Sequence, residues 1–465
     1  MAVTRGASTG LARVTIAAPR RRVDVAIPEH VPTAELLPGL LRAAGDELAD
    51  QGQEHGGWVL RKTDGTLIDA ARPIGTQELR DGDVLHLMPR QAEWPEMDYD
   101  DVVDAIATDA RRQSRSWGSA NTRRAAVAVA SGTLLLALAI VLSSGPNWQL
   151  PGGLALGLSA ALLAAAVALS RAVGDAGAGA VIGSVAMIYA FAGGVALSQG
   201  DQPLADAEAA QYLAGCAALF VVGLLGYLGV ADRTQYFVAG IVVGILGFLG
   251  ALIGLTWDTN LADIAAILVS VVVVFTPIVP LLSIRLGKLP MPTLPTTVDD
   301  LLADPPVVPL TRVHATVRRS DELLGGMLLG GALVASLSEL ALIGSGELSA
   351  FILVVVVAGA SLLRGRLFPA VRHRVPLLVA GVVGAAAVAV GAVGRAPDAR
   401  LSVILPVLVV LAALVLAAGF AYQNRPPSPY VGRISDILDI VLVVAVVPVA
   451  CAVLGLYGYF RSLGG

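Results

Sequence analysis

The residues able to carry chemistry in this chain are few and scattered. Five histidines, His30, His55, His86, His314 and His373, fall at no spacing that would put two of them on one metal ion. No G-x-x-x-x-G-K-[ST] loop is present to cradle a nucleotide phosphate. No serine elbow and no pair of buried carboxylates offers a nucleophile or an acid–base couple. The chain is therefore not expected to be an enzyme, nor to hold a metal or cofactor. What it does offer is charge and backbone suited to contact. Glu93, Glu96, Asp98, Asp100, Asp101, Asp104 and Asp109 form an acidic run, followed by Arg111, Arg112, Arg115, Arg123 and Arg124. Val102, Val103, Ile106 and Ala110 recur within it at helical spacing. The run reads either as a solvated connector with a basic membrane anchor or as a docking helix for a partner. Arg285, Lys288, Pro290, Pro292 and Pro295 mark a second segment, whose prolines hold the backbone extended with carbonyls unpaired. It reads as a stiff linker or as a strap against a neighbouring protein. Gly240-x-x-x-Gly244, Gly250-x-x-x-Gly254 and Gly326-x-x-x-Gly330 would let helix backbones approach closely.

The elements that hold these residues are mostly membrane spans. Apolar runs occupy 125–142, 152–170, 176–198, 209–230, 236–255, 261–283, 323–343, 347–363, 375–394, 401–422 and 434–460. Each is near the roughly 20 residues that cross a bilayer. A hydrophobic share of 55% and a mean hydropathy of +0.74 agree with a polytopic membrane protein and exclude an ordinary soluble one. No ionisable residue is expected near the middle of a span. Glu339 comes nearest, about one turn from the outer end of the seventh, and reads as a boundary residue. Asp263 falls at an outer edge, and Asp436 and Asp439 at an inner one. This scarcity argues against an ion-coupled carrier, which keeps such groups for relays or substrate charge. Cys216 and Cys451 fall within spans, where a thiol behaves as a small apolar residue.

About half of the charged residues precede Ala125, so a polar domain is fused to the spans. Arg20, Arg21 and Arg22 interrupt the start, which therefore does not read as a signal peptide. With the N-terminus inside, the outer loops receive only Arg395, Arg400 and Arg461, together with Asp201, Asp206, Asp258 and Glu347. The remaining loop arginines and Lys288 fall inside, as the positive-inside rule requires. The expected topology is a cytoplasmic N-terminus and an external C-terminus.

The N-terminal part reads as two strands, Leu11–Ala17 and Val23–Ile27, then a helix beginning at Pro32-Thr33 with Thr33 as its cap. Strands at Trp58–Arg61 and Val84–Met88 follow, the last after the turn Asp81-Gly82-Asp83. This ββαββ order and its Leu79-x-Asp81-Gly82-Asp83-Val84-Leu85-x-Leu87 ending resemble the ubiquitin-like β-grasp fold. The fold class is thus a polytopic α-helical membrane protein of eleven spans with an N-terminal cytoplasmic ubiquitin-like β-grasp domain. Its expected parts are 1–90, a connector 91–124 and a membrane domain 125–465 with a cytoplasmic Pro-rich loop over 284–322.

Together with Arg13-Val14-Thr15-Ile16-Ala17-Ala18-Pro19, Gly56-Gly57-Trp58-Val59-Leu60 and the segment 285–296, this architecture resembles the EccD family across essentially the whole chain. EccD is the multi-spanning component of actinobacterial type VII (ESX) secretion systems. The resemblance implies a homodimer in the inner membrane around a lipid- or detergent-filled vestibule. It implies assembly with EccB, EccE and EccC, an FtsK/SpoIIIE-type ATPase that the β-grasp domain would dock. Exported WXG100 or PE/PPE-type proteins would be indirect partners, and no nucleic acid is implied. The competing reading is an autonomous permease or channel for apolar solutes with a regulatory β-grasp domain, which an inverted repeat among the spans would favour.

Overall fold

The computed structural model describes residues 10–18, 21–28, 30–45, 48, 57–77, 79, 82–89, 117–257, 259–289, 309–422 and 428–463, in two units, Met1–Ser116 and Trp117–Gly465. The first unit is built on period-two burial. Strand β1 (Leu11–Ala17) turns Ala12, Val14 and Ile16 inward, as alternation on a pleated strand dictates. Strand β2 (Arg22–Pro28) pairs antiparallel with it, Val14 facing Val25. Helix α1 (Thr33–Ala44) brings Leu40 and Ala44 to the same core. Strands β3 (Trp58–Lys62) and β4 (Val84–Pro89) are antiparallel, and β4 returns parallel to β1. The sheet order is β2-β1-β4-β3. A central parallel pair needs a long crossover, which α1 and β3 supply. This is the β-grasp arrangement. The Trp58 indole donates to the Leu48 carbonyl at 2.7 Å inside the core.

Thr33 is not the helix cap. Pro32 holds that position, and Thr33 is the first helical residue, buried, with its hydroxyl unpartnered. The free N–H groups of the first turn are met by backbone instead: Thr33 and Ala34 donate to the carbonyls of Arg72 and Ala70.

The second unit holds, among the described residues, eleven helices long and apolar enough to cross a membrane. Span 1 is Ser119–Leu142, span 2 Gln149–Arg171, span 3 Ala176–Gln199, span 4 Ala209–Gly229, span 5 Gln235–Trp257 and span 6 Leu261–Gly287. Span 7 is Leu310–Gly344, span 8 Leu348–Leu367, span 9 Val371–Arg395, span 10 Pro397–Tyr422 and span 11 Pro429–Val453. Span 7 is the centre, packing on spans 5, 6, 8 and 9. Span 10 is its opposite: no residue from Leu405 to Tyr422 is buried.

The two largest differences from the hydropathy reading are at spans 7 and 11. Span 7 begins at Leu310, so residues 310–322 of the expected loop are helix, about 20 Å long at 1.5 Å per residue. Arg312, His314, Arg318, Arg319, Asp321 and Glu322 depress hydropathy there without opposing helix formation. Span 11 ends at Val453, short of residue 460, because Gly455 at φ +67° turns the chain into a short helix, Leu456–Leu463.

Candidate functional site: packed glycines and a belt of charge

The three glycine pairs lie at helix contacts. A Cβ at Gly244 would meet the Phe220 backbone of span 4 at 2.9 Å, and one at Gly240 would collide with the Met187 sulfur of span 3. At Gly250 and Gly254 it would meet Leu268 at 2.9 Å and Ile264 at 2.7 Å, both on span 6. At Gly326 it would come 2.6 Å from the Gln235 carbonyl oxygen, and at Gly330 2.8 Å from that of Ala239, both on span 5. Each glycine thus accommodates a neighbour that even alanine would displace.

One side of the membrane unit, where spans 2, 4, 6 and 8 end and spans 3, 5, 7 and 9 begin, carries a belt of charge. Arg123 pairs with Asp175 at 2.8 Å, joining spans 1 and 3. Arg171 donates to the carbonyls of Gly229 and Leu228 at 2.7 and 2.9 Å, capping the end of span 4 from span 2. Arg318 reaches Asp232 at 3.5 Å. Glu322, nearly buried, accepts from the Thr234 backbone N–H at 3.1 Å and from its hydroxyl, fixing the start of span 5 to span 7. Asp321 binds Arg372 and lies 3.1 Å from His373 Nε2, joining spans 7 and 9. Arg366 binds Asp436 across spans 8 and 11.

The deepest member of this belt was invisible in hydropathy. Pro277 has no N–H and therefore leaves the carbonyl of Val273, four residues earlier, without its helical donor. Span 6 accordingly breaks into a 3-10 turn at Thr276–Ile278. Arg364, expected in a loop, is only 4% exposed and donates to that carbonyl. Asp439 of span 11 balances its charge at 3.4 Å. A missing amide in one span is thus met by a guanidinium from a second and a carboxylate from a third. A Thr-Pro pair in one apolar run, with Arg and Asp at the ends of two others, is the signal that could have found this node.

Glu339 also departs from expectation. It is wholly buried, neither carboxylate oxygen has a hydrogen-bond partner, and Gly384 of span 9 makes room for it. The candidate docking residues divide differently. Asp100, Asp101, Asp104, Arg111, Arg112, Pro290, Pro292 and Pro295 lie outside the described residues. Arg285 and Lys288 are exposed, and among the described residues neither side chain has a partner. Lys288 ends span 6 in a left-handed conformation at φ 55°. Its N–H bonds the Arg285 carbonyl and that of Leu289 bonds Ile284, closing a Schellman cap on a residue other than glycine. Among the described residues no group of three or more His, Cys, Asp or Glu could hold a metal ion. Cys216 and Cys451 are free thiols.

The family model for the EccD-like transmembrane domain matches residues 122–463, and that for the WXG100 protein secretion system (Wss) protein YukD matches residues 11–87. The ESX-3 secretion system protein EccD3 of Mycobacterium tuberculosis (strain ATCC 25618 / H37Rv) is 27% identical over 482 aligned positions, covering 97% of this chain and 98% of that protein. The ESX-4 secretion system protein eccD4 of the same strain is 24% identical over 469, covering 98% of each. Among solved structures, protomer 1 of the ESX-3 core complex aligns with a TM-score of 0.60 at 22% identity, over 97% of this chain and 100% of that one. A chain of the MycP5-free ESX-5 inner membrane complex, State II, aligns with a TM-score of 0.56 at 20% identity, over 88% and 99%. These structural likenesses bear on the fold, while the family match spans well over half of the sequence. The chain belongs to the EccD family of multi-spanning membrane proteins.

Proposed function

We propose that this protein is a non-catalytic membrane subunit of a type VII (ESX) protein secretion machinery. The observation that carries the proposal is that both units match the EccD relatives in order and over nearly the full length of each chain, and those relatives are ESX secretion system proteins. The site geometry favours a scaffold. The buried Arg364 and Glu322 join spans to one another. Residues 1–90 dock an FtsK/SpoIIIE-like ATPase of the EccC kind, and the connector 91–124 guides that contact through Asp100, Asp101, Asp104, Arg111 and Arg112. Arg285, Lys288 and the Pro290–Pro295 strap serve a second contact, with EccB or EccE or with the ATPase itself. Two copies pair to enclose a lipid-lined vestibule. By the positive-inside rule the belt of arginines belongs on the cytoplasmic side, which supports a reading with the N-terminus inside and the C-terminus outside the inner membrane.

The test is complementation. In cells lacking this protein, the full chain restores export of small helical WXG100-type proteins, whereas residues 117–465 alone insert in the membrane and do not. Normal export in its complete absence overturns the proposal.

A further inference from the structure

The kink at Pro277 borders a cavity of about 250 Å³ lined by spans 5, 6, 7, 8 and 9 and open on one side. Its inner wall is Leu328, Ala332 and Ala335 of span 7, which are 3%, 7% and 2% exposed, and its end reaches Arg364. The mouth is formed by Ile245 of span 5 and by Val271, Phe275 and Leu282 of span 6, all substantially exposed. These residues lie within the stretches that cross the membrane, so the medium at the mouth is hydrocarbon and not water.

The wall suits a hydrocarbon guest. The Thr276 hydroxyl is turned away to the Val272 carbonyl at 2.6 Å, and Arg364 is engaged by Val273 and Asp439. A polar headgroup would therefore have to break existing pairs. The volume exceeds the roughly 150 Å³ of an apolar cavity that admits benzene. It falls short of the roughly 300 Å³ at which drug-sized sites begin. The terminal part of a single narrow chain fits between those limits.

We propose that this cavity binds one acyl chain of a bilayer lipid, which enters between spans 5 and 6 and ends against the Arg364–Val273–Asp439 node. The inference requires membrane insertion and is independent of the secretion role proposed above. It makes the lipid a filler of the span 6 kink, occupying space that side chains leave open.

The test uses the full chain in nanodiscs of phosphatidylcholine and phosphatidylglycerol, with a trace of phospholipid carrying a diazirine at one acyl terminus. After irradiation, the expected adducts include Leu328, Ala332 or Ala335, which surrounding lipid cannot touch. Gly331→Trp, filling the cavity from span 7, lowers those adducts at least tenfold and leaves labelling of the exposed span 10 unchanged. Ala380→Phe, filling it from span 9, serves if the first variant does not insert. Adducts confined to exposed residues overturn the proposal, as do inner-wall adducts that persist in the filled variants. Disulfide linkage of two copies through Phe275→Cys would place a second copy over the mouth and overturn it equally.

Discussion

Replacing Arg364 by methionine keeps the side-chain stem and removes only the cation. It leaves two groups stranded: the Val273 carbonyl, which has no helical donor because of Pro277, and Asp439, whose side chain is 17% exposed. Breaking a buried ion pair from one side costs about 3–5 kcal/mol. A buried carbonyl left unpaired accounts for about 1–3 kcal/mol of that. Pro277→Ala restores an N–H four residues beyond Val273, so in the Arg364→Met background it should return most of the carbonyl's share. In the parent, where Arg364 already satisfies that carbonyl, the same change should gain little. Asp439→Asn should recover much of the remainder in the Arg364→Met background and destabilise the parent. The assay is a double-mutant cycle on the full chain in detergent, reading thermal or SDS unfolding midpoints. The expected coupling between positions 277 and 364 is at least about 1 kcal/mol. Equal shifts from Pro277→Ala in both backgrounds would refute the node.

Other perturbations follow from the same packing. Gly326→Ile drives a side chain into the Gln235 carbonyl and Val238, so it should cost about 1–3 kcal/mol or more and reduce the monodisperse fraction in size-exclusion chromatography. Gly331→Ala, whose Cβ would sit 3.4 Å from Val272, should leave that fraction unchanged. Glu339→Met exchanges an unpartnered buried carboxyl for an apolar group of similar size. It should be stabilising or neutral within about 1.5 kcal/mol, and a larger loss in unfolding midpoint would mean the carboxyl has a partner. Lys288→Gly relieves a left-handed residue and should stabilise the end of span 6 by about 1 kcal/mol, seen as slower amide exchange at position 288 and at Leu289.

Hydropathy located all eleven spans because each needs only its own composition to be apolar. It misplaced the start of span 7, since a helix that leaves the hydrocarbon carries charges which a sliding average reads as loop. It ran past Gly455 for the converse reason, Leu456 and Tyr457 being apolar enough to continue the average. The strands of the first unit were legible to within one or two residues from their alternation. The cap at Thr33 was misread because its N–H partners come from residues 70–72, far along the chain. Arg364 and Glu339 were misjudged on the same ground. Burial of a charge depends on which spans face each other, and neither Val273 nor Gly384 announces its neighbour by spacing.

The most direct measurement is affinity purification of the full chain from its native membrane in mild detergent, with the co-eluting proteins identified and compared against a chain lacking residues 1–90. A large complex containing an FtsK/SpoIIIE-like ATPase is expected, with that ATPase lost from the truncated chain. A lone protein or a bare homodimer, under conditions that preserve other membrane assemblies, would overturn the secretion role.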